Sequence, residues 1–411
     1  MIAYRGGIQL NRQDLQAHIA RVLQLENVAA LTGAGSSVTA GGFTMPEIWE
    51  AFLSDYPGAA EILQDEHFLE QAAGTSSGQS QVPSAEDPNV EELIDKVAIA
   101  ITDWQRRKPT SRKLKRLREA YQNLQKAVIN AAILDPELWT DSDLELRSLD
   151  GHTRFLQRLV ASRQPGQASP WVFTTNYDLG FEWAAERAGI RYITGFRGVH
   201  RRLFAPQAFD IGSINTKARG EARFASNDFY LAKLHGSLSW RRERDDVREL
   251  SCREAWGALR NLREPPIDIT DSFVVFPSAT KYVQTIGYLY GELFRRFSDF
   301  LMLPQSVLLI TGYSFRDQHI NRLLLSALSN PTLHMIVFYP EFTGEDQGTI
   351  PNRLVRTLVK SESPRVTLVG GGQEAYFDKV VELLPDPAIF DMKEREMRHY
   401  FADQQSQETT T

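Results

Sequence analysis

Asn27-Val28-Ala29-Ala30-Leu31-Thr32-Gly33-Ala34-Gly35-Ser36-Ser37 is the stretch that decides the fold. Its first half is a short apolar run without polar alternation, the pattern of a strand buried on both faces. Its second half is a turn. Glycines at 33 and 35 let the backbone bend tightly and approach a ligand closely, and the amides opening the next helix favour an anion such as a pyrophosphate. A plain strand-to-helix turn has the same signature, so this motif needs support from others. A second glycine pair, Gly41-Gly42, follows.

Upstream, Leu15, Ile19, Val22 and Leu23 recur at helical spacing. Downstream, similar apolar runs predict strands over Trp171–Thr174, Tyr230–Leu234, Phe273–Phe276, Val307–Thr311, Met335–Tyr339 and Val366–Val369, with helical segments between several of them. Alternating strands and helices make an α/β fold, a mostly parallel sheet with helices on both faces. Between the first strand and the rest, Gln71–Pro88 is rich in Gly, Ser, Gln and Pro and reads as a flexible loop. Val90, Leu93, Ile94, Val97, Ile101 and Trp104 then follow a helical rhythm that Pro109 ends. Ser111 can cap a second helix carrying Leu114, Leu117, Tyr121, Leu124 and Val128. Residues 55–150 are therefore a mainly helical insertion between a first part, 1–54, and a remainder, 151–390. Residues 391–411 are the end of a helix and a polar, disordered tail.

The chain is 42% hydrophobic and 24% charged, which suits a globular protein with a substantial core. A net charge of −6 argues against a chain coated for non-specific nucleic-acid binding. The single cysteine, Cys252, excludes an internal disulfide framework and a four-cysteine zinc site, and fits a reducing cytoplasmic compartment. No apolar stretch is long enough for a membrane span, and no secretory leader is evident.

Four further motifs sit at strand ends, where open α/β sheets bind ligands. In Phe173-Thr174-Thr175-Asn176-Tyr177-Asp178, Asn176 offers a donor and an acceptor for a ribose or an ordered water, and Asp178 can accept from a ligand amide. The same residues can equally be a turn with Asp178 capping the next helix. In Lys233-Leu234-His235-Gly236-Ser237, His235 is a candidate general base, because an imidazole titrates near neutral pH; a single histidine at a strand end can also be structural. The other histidines show no metal-ligand spacing. Leu308-Leu309-Ile310-Thr311-Gly312-Tyr313-Ser314-Phe315-Arg316-Asp317, followed by His319-Ile320-Asn321, brings Gly312 and Ser314 to a place suited to a ribose. Either Ser314 or Asp317 can cap the helix beginning near Gln318. Gly370-Gly371-Gly372 can approach an adenine or form a surface loop.

The order of these motifs resembles the sirtuin family. The 312–321 segment resembles the bacterial sirtuin-like branch in full, and the likeness spans roughly 25–50 and 150–380. The resemblance implies a Rossmann-like NAD⁺ domain. Gly33, Ala34, Gly35 and Ser37 would hold the pyrophosphate and its neighbouring ribose, with Thr175 counted beside them. Asn176 would orient the nicotinamide ribose or the attacking water, Asp178 would hold the carboxamide, and His235 would contact the ribose hydroxyls as base. Gly312 and Ser314 would face the adenosine ribose.

The departures from that pattern also carry information. Gly41-Gly42-Phe43-Thr44-Met45-Pro46 does not match the pattern in which sirtuin deacylases place a Phe and an Arg after the glycine turn. Their four-cysteine zinc module cannot be built, so no zinc is expected. The long span from Asn176 to His235 leaves an insertion near 195–228 to rim the pocket. NAD⁺ hydrolysis to nicotinamide and ADP-ribose is then a better expectation than deacylation. The resemblance further implies NAD⁺ depletion in anti-phage defence, a homo-oligomer and a HerA-type ATPase partner, a step taken by analogy. An NAD⁺ or ADP-ribose sensor without turnover is one alternative. Another is DNA contact through the complex, for which the only feature is the basic run Arg106-Arg107-Lys108, Arg112-Lys113, Lys115-Arg116 and Arg118.

Overall fold

The computed structural model describes residues 1–69, 90–140, 147–224, 227–243, 245–261, 283–344, 350 and 352–386. The expected loop at 71–88, strand at 273–276 and tail at 391–411 lie outside the described residues.

The strands in chain order are β1 (Ile2–Arg5), β2 (Ile8–Gln9), β3 (Asn27–Thr32), β4 (Trp171–Thr174), β5 (Arg191–Ile193), β6 (Phe196–Arg197), β7 (Arg202–Phe204), β8 (Asp228–Lys233), β9 (Trp240–Glu243), β10 (Asp246–Glu249), β11 (Ser306–Thr311), β12 (Leu333–Phe338) and β13 (Val366–Gly370). Nine of them form one sheet in the order β2-β1-β13-β12-β11-β3-β4-β8-β5. It is parallel from β13 to β5. At one edge β1 runs antiparallel to β13, and β2 antiparallel to β1. The chain moves outward from β3 through β4 to β8, then returns to the other side of β3 at β11 and continues to β12 and β13. The strand order therefore reverses between β3 and β11, and a reversal of that kind opens a crevice above the C-terminal strand ends.

Alternation along each strand loads both faces. Ala29, Leu31, Phe173, Ala232, Leu308, Ile310, Met335 and Val337 join one core, with Leu293 and Phe297 of the helix Val283–Met302 and Leu324 of the helix Gln318–Ala327. Val28, Ala30, Val172, Leu231, Val307, Leu309, Ile336 and Phe338 join the other, with Leu15 and Ile19 of the helix Arg12–Val22 and Phe155 and Leu159 of the helix Asp150–Ala161. A strand covered on both faces needs no polar alternation, which is why β3 reads as a continuous apolar run.

The helices Met45–Asp55, Pro57–Asp65, Val90–Arg107 and Arg112–Ala132 build a separate core. Ser111 caps the last of them, accepting from the Leu114 amide at 3.2 Å. Tyr177, Leu179, Trp183 and Leu238 belong to this same core, so the helical layer packs directly on the loops that follow β4 and β8. Part of the basic run is used internally: Arg116 pairs with Asp65 at 2.5 Å, and Lys113 pairs with Glu66.

The strands β6, β7, β9 and β10 form a small antiparallel sheet in the order β6-β7-β10-β9. Phe196, Trp240 and Val247 anchor it in the core beside β11. Within the expected 195–228 insertion, the turn Pro206–Asp210 is tied down by Arg296, whose guanidinium donates to Asp210 at 2.6 Å.

Candidate active site at the strand ends

The register places Thr32 beside Thr174, Thr174 beside Lys233 and Thr311 beside Thr32. The loops after β3, β4, β8 and β11 therefore leave the sheet side by side, and they carry the four motifs singled out in the sequence.

The turn after β3 is held by the loop after β11. The Gly35 amide donates to the Gly312 carbonyl at 2.9 Å. A Cβ on Gly33 would lie 2.8 Å from the Gly312 oxygen, and one on Gly35 would lie 2.9 Å from the Gly312 Cα. Gly312 has φ +64°, and its Cβ would stand 2.4 Å from the Ser36 nitrogen. Here the glycines let two backbones interlock. The segment after the turn differs from the expected helix. It forms two three-residue 3₁₀ turns, Ala34–Ser36 and Val38–Ala40, and the first α-helix begins only at Met45, behind a Thr44–Glu47 capping box. The amides of Gly35, Ser36 and Ser37 all donate within the protein, to Gly312, Gly33 and Ala34. They do not form the open helix start expected from the sequence.

Two serines of this turn meet the loop after β4. The Ser36 hydroxyl donates to the Gly33 carbonyl at 2.8 Å, and the Ser37 hydroxyl donates to Asp178 Oδ2 at 2.7 Å. Each hydroxyl has one proton, and both are spent. Asn176 must then present its amide nitrogen to the two serine oxygens, which it does at 3.2 and 2.8 Å. The other oxygen of Asp178 accepts from the Gly180 amide at 2.9 Å, at the start of the helix Gly180–Ala188. Asp178 therefore behaves as the turn residue that the sequence also allowed, and both its oxygens have protein partners. Asn176 and Asp178 are buried, whereas Ala34, Gly35, Thr175 and Gly312 are half-buried.

Beneath this network lies a buried ion pair. Lys233, at the end of β8, donates to the Asp178 carbonyl and pairs with Glu182 at 3.1 Å. Burial raises the Glu182 carboxyl to about 7, against the opposing pull of Lys233.

His235 follows one turn later. Its Nε2 lies 2.8 Å from Asp317 Oδ2, and its ring lies 6.4 Å from that of Tyr177. Tyr290 donates to its backbone carbonyl at 3.0 Å. Asp317 is the N-cap of the helix Gln318–Ala327, accepting from the amides of His319 at 2.7 Å and Ile320 at 3.0 Å. Burial works to raise its carboxyl, but His235 and the two amides outweigh it and hold the group below the usual carboxylate range. Ser314 is exposed, and among the described residues no hydrogen bond joins it to the others. The glycines at 370–372 pack against the 340–342 turn: the Gly371 amide donates to Phe342 and the Gly372 amide to Pro340, both at 3.0 Å.

One side of this site matches a known family. Residues 170–355 match the SIR2-like domain. No curated protein matches the chain. The SIR2-like region contains Asn176, Asp178, His235, Gly312 and Asp317, and supports a sirtuin-like family and NAD-related chemistry. The glycine turn at 33–37 lies outside it and joins the site through Ser36 and Ser37. Ser36, Lys233, Glu182 and the second role of Asp317 were not singled out from the sequence. A lysine ending an apolar strand and a glutamate inside an apolar helix face were the available signals for the buried pair.

Proposed function

We propose that the chain is an NAD⁺ glycohydrolase that releases nicotinamide and ADP-ribose. The observation that carries this reading is the orientation of Asn176. With its amide nitrogen committed to Ser36 and Ser37, its carbonyl oxygen is the acceptor offered to a ribose hydroxyl or a water, in a loop adjacent to that of His235. The bond to nicotinamide breaks with positive charge developing on the ribose, by analogy with glycosidic cleavage. The enzyme's task is to position the ribose and a water and to accept a proton. His235 is the base. Gly33, Ala34, Gly35, Ser37 and Thr175 line the phosphate and ribose side, and Gly312 and Ser314 the adenosine side. Asp178 takes the carboxamide by exchanging one of its internal partners, or serves by holding the loop.

NAD⁺ consumption by the purified chain tests this, with His235→Ala and Asn176→Ala alongside. Nicotinamide and ADP-ribose that form with the wild type and vanish in both variants support hydrolysis. Retained NAD⁺ binding with no turnover under any condition overturns it in favour of a sensor. The wider reading is NAD⁺ depletion in bacterial anti-phage defence, by a cytoplasmic homo-oligomer working with a HerA-type ATPase. It rests on the 312–321 resemblance, and co-expression with such an ATPase followed by size analysis and NAD⁺ measurement tests it. DNA contact has less support, since Lys113 and Arg116 of the basic run are paired within the chain.

A further inference from the structure

Between Gly312 and Asp317 the chain turns at Phe315. Both ends of this stretch are fixed: Gly312 accepts from the Gly35 amide, and Asp317 caps the helix Gln318–Ala327. Phe315 itself has φ +57°, the left-handed region, where a Cβ crowds the following carbonyl oxygen. Its ring is buried, with its centroid 4.9 Å from that of Tyr313 and 5.8 Å from that of Tyr339. A bulky residue keeps such a conformation only where its surroundings impose it. Two side chains from different helices do so here. Asn321 donates to the Phe315 carbonyl at 2.7 Å, and Asn352 donates to the same oxygen at 2.9 Å. The orientation of Asn352 is forced. Its own oxygen caps the helix Arg353–Lys360, accepting from the Leu354 amide at 2.9 Å and the Val355 amide at 3.2 Å, so only its NH₂ group is left for Phe315. An aspartate would cap as well, but an ionised one could not donate.

We propose that Asn321 and Asn352 are positioning residues for nucleotide binding: their clamp on Phe315 fixes the backbone that presents Ser314 to the adenosine ribose. Ser314 is exposed and directly precedes the clamped residue. Two donors on one carbonyl fix the peptide that follows Phe315, and the buried ring fixes Phe315 itself. The loop then meets its ligand already ordered, and less conformational freedom is lost on binding. The clamp also ties the loop after β11 to the helix that follows β12, so the adenosine side is braced from two elements. This inference rests on the reading that puts Ser314 on the adenosine side, and it does not require turnover.

The test compares two ligands by calorimetry. ADP-ribose carries the adenosine half, and nicotinamide mononucleotide lacks it. Asn352→Asp at neutral pH keeps the cap of the helix Arg353–Lys360 but turns an oxygen that cannot donate toward the Phe315 carbonyl. Asn321→Ala removes the other arm at a helix position that alanine favours. Each variant should bind ADP-ribose about tenfold more weakly, the scale of one lost hydrogen bond, with its affinity for nicotinamide mononucleotide unchanged. The KM for NAD⁺ should rise by a similar factor with kcat unchanged, the pattern of binding lost equally from substrate and transition state. A general loss of structure would weaken both ligands together. Wild-type ADP-ribose affinity in both variants, or an equal loss for nicotinamide mononucleotide, overturns the proposal. A wild-type chain that binds ADP-ribose but never turns over NAD⁺ overturns the hydrolase reading alone, and the two affinities still decide the clamp. A wild-type chain that binds no ADP-ribose overturns the clamp's role.

Discussion

Ser37 donates its hydroxyl proton to Asp178 at 2.7 Å, across two loops that the sequence separates by 141 residues. That bond sets the direction of the whole network. Because the Ser37 proton points at Asp178, its oxygen is free to accept from Asn176, and Asn176 can face only one way. Ser37→Ala removes the link and leaves a buried carboxylate oxygen and an amide hydrogen without that partner. The expected cost is about 1–3 kcal/mol of stability in urea unfolding, with a fall in kcat as Asn176 loses its fixed orientation. Wild-type stability in this variant would show that Asp178 is held by Gly180 and Lys233 alone.

Asn176→Asp keeps the shape of the side chain and reverses its hydrogen bonding. Both serine protons are already spent, so an ionised carboxylate introduced there would face two oxygens that cannot donate to it, close to the carboxylate of Asp178. The folded pKa of the new group must rise above the unfolded value of about 3.9. A raised carboxyl pKa gives stability that is present at low pH and lost as pH rises through the folded value. Compared with Asn176→Ala, the Asn176→Asp variant should therefore lose stability progressively from about pH 4 upward, and both should be inactive. Parallel pH–stability curves for the two variants would mean that Asn176 does not sit amide-first against the serines.

Gly312 and Gly291 should respond oppositely to alanine. At Gly312 the backbone is left-handed, and the new Cβ would fall 2.4 Å from the Ser36 nitrogen and 2.9 Å from the Gly35 carbonyl carbon. Neither atom can retreat, because the Gly35 amide is itself bonded to Gly312. Gly312→Ala should cost more than about 2 kcal/mol and abolish nucleotide binding. Gly291 lies inside the helix Val283–Met302, with open space around its Cβ position. Gly291→Ala should gain about 0.5–1 kcal/mol by the usual helix preference. Thermal unfolding of the two variants reads both signs at once.

The parallel sheet was legible because β3, β4, β8, β11, β12 and β13 are apolar on both faces and long enough to show it. The helix Val90–Arg107 and the Ser111 cap were legible from rhythm and capping chemistry. β2 and β5 to β7 were not, since two or three residues show no period, and β9 carries Arg241 and Arg242 at the edge of a small sheet held together by a β7–β10 pairing between segments distant in sequence. Asn176, Asp178 and His235 could be singled out as candidates because each ends a legible strand or follows one. The second role of Asp317 was hidden because its local chemistry is that of a cap, while the histidine it meets lies 82 residues away. The glycine turn was legible as a turn, but not its interlock with Gly312, which depends on the strand order placing β11 beside β3.

Glu182 and Lys233 give the site a pH-dependent foundation. Glu182 titrates at about 7 in the folded chain, chiefly through burial, against an ordinary value of 4.5. Between those values the native state binds a proton that the unfolded chain has released, so stability falls as pH rises across the window. Glu182→Gln stays neutral throughout and should flatten that slope. Its absolute stability should also drop, because Lys233 keeps its contact with the Asp178 carbonyl but loses its carboxylate partner. Urea unfolding at about pH 5 and about pH 8 separates the two effects, since only the slope reports the titration. Equal slopes in wild type and variant would show that Lys233 holds Glu182 ionised across the whole range. The carbonyl of Asp178 would then rest on a permanent ion pair rather than on a group that changes charge near neutrality.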